Sequence, residues 1–391
     1  MHNYRILSKK GEGTFSEVMR AVHLLKNEHY AIKFMKKNFD SIEQVNKLFE
    51  IQALRKLEGH PHIVQLHEVL FENHRLAMVF ELMDMNVYEA IKNRRSYLPE
   101  ARATKWMFEL FEAIHFIHQN QIFHRDVKPE NLLIVDDVLK LADLGSCCAL
   151  NERLPFTEYI STRWYRPPEC LLTSGYYTCK MDIWASGCVF YELMTLNPLF
   201  PGKTEVDQIN KIHAVLGSPS RDILAAFEKL RGNHLDGVHF AAMKGTGIAR
   251  KLTHCSSDLV SFLGELLRYD PSKRPNASQV IRSSFFSKLR REQLDSRDFK
   301  ILNSPASTSA PSSPPVVPTL PPISLSKRVL NPYGKTPRLK KLGEVLESTR
   351  SRHLDNSVLQ RELPHVKLSS NLGFSFVLAS GREYRPKLTK K

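Results

Sequence analysis

The chain has 391 residues, 42% of them hydrophobic, with 56 Lys and Arg against 41 Asp and Glu for a formal net charge of +15. That length and apolar content suit a packed body, either two or three ordinary domains or one large two-lobed enzyme followed by a tail. Six cysteines without a CxxC pair read as reduced cytosolic or nuclear thiols. No stretch approaches about 18 apolar residues, and no apolar signal core or myristoylation glycine follows Met1, so a soluble protein is expected.

Residues 4–36 read as three short strands in an antiparallel meander: Tyr4-Arg5-Ile6-Leu7, Glu17-Val18-Met19-Arg20-Ala21 and Tyr30-Ala31-Ile32-Lys33-Phe34. Between the first two lies Gly11-Glu12-Gly13-Thr14-Phe15-Ser16, whose glycines let backbone N–H groups approach a triphosphate. Ser16 stands where a third glycine would complete the pattern, and a plain hairpin turn explains two glycines as well. Lys33 is placed to hold the α- and β-phosphates, with Glu50 of the following helix to orient it; each alone also reads as a surface charge. That helix opens on an Asp40-x-x-Glu43 capping-box pattern, carries Val45, Leu48, Ile51, Leu54 and Leu57 in one stripe, and stops at Gly59.

Leu76-Ala77-Met78-Val79-Phe80 is a further buried strand, after which the period becomes helical, with Met107, Leu110, Phe111, Ile114 and Ile117 on one face. Residues 183–194 are apolar on nearly every side, as befits a helix at the centre of a helical lobe. A strand-rich part of roughly 80 residues thus precedes a helix-rich part of roughly 200, a two-lobed α+β architecture. Order is expected to end near Leu289, because the Pro/Ser/Thr run from Ser304-Pro305 to Pro322 has few residues able to form a core.

The strongest chemical signal is His124-Arg125-Asp126-Val127-Lys128-Pro129-Glu130-Asn131. Asp126 would accept the proton of a substrate hydroxyl, Lys128 would neutralise a transferring phosphoryl group and Asn131 would hold magnesium. Asp143-Leu144-Gly145 follows the apolar run 138–142 and adds a second carboxylate. Hard oxygen ligands from Asn131 and Asp143 suit Mg2+ bridging the phosphates of ATP, and Leu144 stands where phenylalanine is commoner.

With these motifs in order, residues 1–289 resemble a eukaryotic protein kinase. Pro167-Pro168-Glu169 resembles that family's A-P-E, Asp182-Ile183-Trp184-Ala185-Ser186-Gly187 the start of its central helix, and Asp270-Pro271-Ser272-Lys273-Arg274-Pro275 its late-lobe signature. The resemblance implies a bilobal kinase domain over residues 4–286, with an N-lobe at 4–83, a C-lobe at 84–286 and a mostly disordered tail at 287–391. It also implies a structural pair between Glu169 and Arg274. ATP would lie under Gly11, Glu12, Gly13, Thr14 and Phe15, with Val18, Ala31 and Leu133 around the adenine. Phe80 would be the gatekeeper, and Glu81 and Met83 would offer backbone hinge hydrogen bonds.

Thr157-Glu158-Tyr159, followed by Thr162-Arg163-Trp164-Tyr165-Arg166, resembles the dual-phosphorylation lip of MAP kinases. On that pattern Arg163 and Arg166 would receive a phosphate on Tyr159, and Arg125 with Lys47 one on Thr157. Cys148 stands where MAP kinases place an arginine, so tyrosine phosphorylation is expected to matter more than threonine phosphorylation. The helix bearing Glu50 lacks the cyclin-binding run, and Phe15 replaces the inhibitory tyrosine of cyclin-dependent kinases, so no cyclin is expected.

Within that branch the chain is similar to the male-germ-cell-associated and intestinal-cell kinase group. The resemblance implies proline-directed serine/threonine phosphorylation, autophosphorylation on Tyr159, an Hsp90-type chaperone and a monomer. It further implies cytoplasmic, nuclear and ciliary locations with a role in cilium length. Ser304-Pro305, Ser313-Pro314 and Thr336-Pro337 could be phosphosites, and Lys327-Arg328 with Lys340-Lys341 could contact acidic partners. Residues 301–391 hold 15 Lys/Arg against 5 Asp/Glu, so basicity belongs mainly to this tail. A pseudokinase scaffold would be favoured by loss of Lys33, Asp126, Asn131 or Asp143, and all four are present. A nucleic-acid-binding reading lacks a recognisable module.

Overall fold

The computed structural model describes residues 3–157, 162–230 and 240–302, with 296–302 as backbone. It opens on β1 (Tyr4–Glu12), β2 (Ser16–His23) and β3 (His29–Asn38), the expected antiparallel meander, in which Val18 lies opposite Lys33. The β1–β2 register shifts between Lys9 and Gly11, an irregularity that bends the hairpin where the glycine turn begins.

The single helix expected next is two pieces, α1 (Ile42–Asn46) and α2 (Phe49–Lys56), separated by Leu48 in an extended conformation. Its cap is Ser41 rather than Asp40: the Ser41 hydroxyl accepts from the Gln44 amide at 3.3 Å, while Gln44 Oε1 takes the Asp40 amide at 2.7 Å. Val45, Ile51, Ala53 and Leu54 are all buried, so the apolar stripe runs on across the break and periodicity does not reveal it.

Strands β4 (Leu66–Glu72) and β5 (Arg75–Glu81) complete a five-stranded sheet in the order β1-β2-β3-β5-β4. The first lobe ends there. β6 (Met85–Asn86) and α3 (Val87–Ile91) follow, the latter capped by an Asn86–Glu89 box, and then α4 (Glu100–Gln119) buries Met107, Leu110, Phe111, Ile114 and Ile117 as its spacing requires. Short ribbons carry the chemistry-bearing loops: β7 (Ile122–Phe123), β8 (Leu132–Val135), β9 (Val138–Leu141) and β10 (Cys148–Ala149). β8 pairs with β6 and β9, and β10 with β7.

Beyond lie α5 (Pro168–Leu172), α6 (Lys180–Thr195), α7 (Glu205–Leu216), α8 (Arg221–Glu228), α9 (Ser257–Leu266), α10 (Ala277–Arg282) and α11 (Ser287–Leu302). Every residue of α6 from Met181 to Thr195 is buried, which explains its lack of a polar face. Glu169 and Arg274 form a bidentate pair at 2.7 and 2.8 Å, both about 1% exposed, with the guanidinium over the Trp184 ring. Here a charged pair replaces apolar packing in the core, and its parallel hydrogen bonds offset the desolvation of both ions.

The expected end of order near Leu289 falls inside α11. Arg290 Nη1 donates to the carbonyls of Ile281 and Ser283 at 2.7 and 2.6 Å, and Gln293 donates to Glu112 at 2.9 Å. Polar anchors of this kind leave no apolar signature in the sequence.

Candidate active site

A cleft of about 380 Å³ opens between the sheet and the helical lobe. Gly11, Glu12, Gly13, Val18, Ala31, Lys33, Phe80, Glu81, Met83 and Leu133 line it, whereas Thr14 and Phe15 do not, Phe15 being 76% exposed. The glycine turn is closed by the Gly13 amide on the Ser16 carbonyl at 2.8 Å, a backbone bond that does not depend on the side chain at position 16. Lys36 braces it, donating to Glu12 Oε1 at 2.8 Å and to the Gly13 carbonyl at 2.9 Å. Hydrogen bonds from Lys36, and then from Lys9, hold the Glu12 carboxyl down at about 2.

On the cleft floor Lys33 Nζ sits 2.7 Å from Glu50 Oε1 and 2.8 Å from Asp143 Oδ1. Strand β3 presents the amine and α2 the carboxylate. Burial pulls the Lys33 ammonium down, but Asp143 and Glu50 outweigh it and the net shift is upward. Desolvation likewise pushes the Asp143 carboxyl up, and Lys33 overcomes it to leave the group below the usual aspartate value. Both therefore stay charged near neutrality.

The catalytic-loop residues are fixed from beneath by Asp182. This buried carboxylate accepts the His124 amide on Oδ2 and the Arg125 amide on Oδ1, both at 2.9 Å, and lies 2.9 Å from His118 Nε2. Arg125 takes φ = 67°, a left-handed kink that turns the chain toward Asp126. Lys128 Nζ donates to Asp126 Oδ2 at 2.7 Å, and Asn131 Nδ2 donates to the Asp126 carbonyl at 2.8 Å and to Oδ2 at 3.1 Å. Asp126 Oδ1 is buried without a hydrogen-bond partner. A buried acceptor left unmet is costly, and such atoms mark sites where the chemistry needs a free lone pair.

The model of the protein kinase domain matches residues 4–286. The chain belongs to the protein kinase family. It is 51% identical to the MAPK/MAK/MRK overlapping kinase of Homo sapiens over 295 residues, covering 75% of this chain and 70% of that protein. Against the Mus musculus protein of the same name the identity is 51% over 288 residues, 73% of this chain and 68% of that one. Serine/threonine-protein kinase ICK of Mus musculus is 39% identical over 289 residues, which cover 73% of this chain and 45% of that protein.

The residues of this kinase fit ATP with magnesium. Asn131 spends its amide nitrogen on Asp126 and keeps its amide oxygen, and the Asp143 side chain is 46% exposed with Oδ1 on Lys33. Among the described residues no group of three or more His, Cys, Asp or Glu side chains could hold a metal by itself. A cation held by two protein oxygens must complete its shell with phosphate and water, which is the habit of Mg2+.

The lip is placed in part. Thr157 is described and exposed, and Tyr159 lies outside the described residues. Arg125 does not reach the Thr157 side chain; its Nε donates to the Ser146 carbonyl at 2.6 Å and its Nη1 to Tyr177 Oη at 3.2 Å. Arg163 donates to the Lys203 carbonyl and Arg166 pairs with Glu205 at 3.3 Å. Cys148 is buried with Sγ 2.6 Å from Glu152, and burial, then that neighbour, pushes the thiol up to about 12, so it supplies no charge. Sequence reasoning missed Lys36, Tyr177 and the Lys140–Glu81 pair at 2.7 Å, which fastens the hinge strand to β9. None belongs to a fixed-spacing motif.

Proposed function

We propose that this kinase transfers the γ-phosphoryl group of ATP to serine and threonine hydroxyls of protein substrates. The supporting observation is the buried, unpartnered Asp126 Oδ1 beside a Lys33 already bridged to Glu50 and Asp143. Lys33 holds the α- and β-phosphates in a position fixed by Glu50. Asp126 orients the acceptor hydroxyl and takes its proton, Lys128 offsets charge developing on the phosphoryl oxygens, and Asn131 with Asp143 presents oxygens to magnesium. ATP supplies the phosphoryl group when bound, and Mg2+ neutralises its charge. The backbone of Glu81 and Met83 would offer the adenine its hinge hydrogen bonds, and Val18, Ala31 and Leu133, which line the same cleft, would enclose the ring.

Independence of a cyclin belongs to the same reading and rests on the sequence, where the helix bearing Glu50 lacks the cyclin-binding run and Phe15 replaces the inhibitory tyrosine. Preference for proline after the acceptor, autophosphorylation of Tyr159, reliance on an Hsp90-type chaperone, and work in cytoplasm, nucleus and cilium with an effect on cilium length complete the reading. They rest on the lip motif and on similarity to the MAPK/MAK/MRK overlapping kinase and ICK. The test is a positional-scanning peptide library incubated with purified protein and Mg-ATP, alongside Asp126→Asn. Transfer by the wild type and its loss in the variant is the expected result. Nucleotide binding without transfer by the wild type would instead establish a scaffold.

A further inference from the structure

We infer that Tyr177 is a positioning residue for phosphoryl transfer, tying the backbone of the lip to the catalytic loop through its hydroxyl. The inference rests on the transfer reading above. The Tyr177 Oη donates to the Thr157 carbonyl at 2.8 Å and receives Arg125 Nη1 at 3.2 Å. Arg125 is the residue before Asp126, and its own amide is fixed on Asp182 Oδ1. One unbroken path of hydrogen bonds therefore runs from the lip through Tyr177 and Arg125 to the segment carrying Asp126. The hydroxyl has one proton and two lone pairs, so it can give to the carbonyl and accept from the guanidinium at once.

Packing holds this hydroxyl in place. Tyr177 is buried, its ring lies 5.1 Å from Phe156, and Phe156 lies 5.4 Å from Phe123. The Phe156 amide donates to the Gly175 carbonyl at 2.8 Å, and Gly175 has φ = 80° with a Cβ position that would run into the Phe156 carbonyl oxygen. Lip and Gly175 loop thus approach too closely for any other residue. Cys148 pairs with Phe123 across the β10–β7 ribbon and brings a neutral thiol there. A phosphate on Thr157 would meet one cation fewer, while the tie at its carbonyl needs no phosphate. Tyr177 thereby supplies, in the unphosphorylated chain, the link between lip and loop that a phosphothreonine supplies through cations.

Tyr177→Phe keeps the ring and deletes the hydroxyl. The expected result, with the full chain, is a kcat about 10-fold lower with KM for ATP changed less than about 2-fold, a melting temperature within a few degrees of wild type, and faster hydrogen exchange at the Phe156 amide. Thr157→Ala, which leaves the carbonyl in place, should change kcat less than about 3-fold. An unchanged kcat in Tyr177→Phe, a loss no larger than its folded fraction explains, or unaltered Phe156 exchange would overturn the proposal. An inactive wild-type protein whose Phe156 exchange still quickens in the variant would sink the transfer reading and leave the tie standing.

Discussion

Glu192 lies in the last turn of α6, and burial pushes its carboxyl up to about 7 although the Tyr165 hydroxyl donates to it at 2.8 Å. An unfolded glutamate releases its proton near 4.3, so between there and about 7 the folded chain binds more protons and stability falls as pH rises. The loss is on the order of 1–3 kcal/mol, and Glu192→Gln should flatten it, as urea unfolding at the two ends of that window would reveal. At the cleft floor, Asp143→Asn should reduce transfer more than about 100-fold with far-UV dichroism unchanged, since the side chain is half exposed and packs no core. Lys33→Arg should also lose most activity, because a planar fork does not fit a point charge between two carboxylates. A purified Asp143→Asn protein with wild-type rates would remove the carboxylate from the metal site. Lys33, Asp126, Asn131 and Asp143 were legible because phosphate chemistry demands those residue types at those spacings. Asp182 and Tyr177 reach Arg125 from more than 50 positions away, and nothing in local sequence marks such contacts.

At the scale of elements, 3.6-residue periodicity located α4, and unbroken apolar runs located β5 and α6, because burial on one face or on all sides writes itself into the sequence. The break between α1 and α2 escaped since the stripe continues through it, and α11 escaped since arginine and glutamine anchor it. The lip sits between these cases: its T-E-Y motif is plain, while the receiving groups depend on the fold. Arg125 is engaged by Ser146 and Tyr177, and Cys148 is neutral, so a phosphate on Thr157 gains little. Tyr159→Phe should therefore lower kcat/KM more than Thr157→Ala, and steady-state kinetics giving the reverse order would refute that ranking. The bond between α5 and the segment before α10 is the opposite extreme. Arg274→Ala strands the Glu169 carboxylate in the core and should cost about 3–5 kcal/mol of unfolding free energy, measurable by chemical denaturation.

For the whole molecule, charge and chemistry occupy different parts of the chain. Residues 301–391 carry a net +10 and residues 1–300 the other +5, whereas every residue assigned to phosphate, metal or proton lies before Asp182. The helical lobe closes with α11, whose Arg290 and Gln293 bonds fall on α10, the turn after it and α4. A fragment ending at Leu302 keeps those anchors and all of the cleft. Its kcat/KM on a peptide should stay within about 3-fold of the full chain, because every residue assigned to phosphate, metal or proton lies before Asp182. Its retention on a polyanion column should weaken sharply, since the salt dependence of such binding scales with the number of cations engaged. A folded fragment that binds Mg-ATP yet phosphorylates peptide 100-fold more slowly would show instead that the basic tail completes the substrate site, by holding the acceptor segment against Asp126.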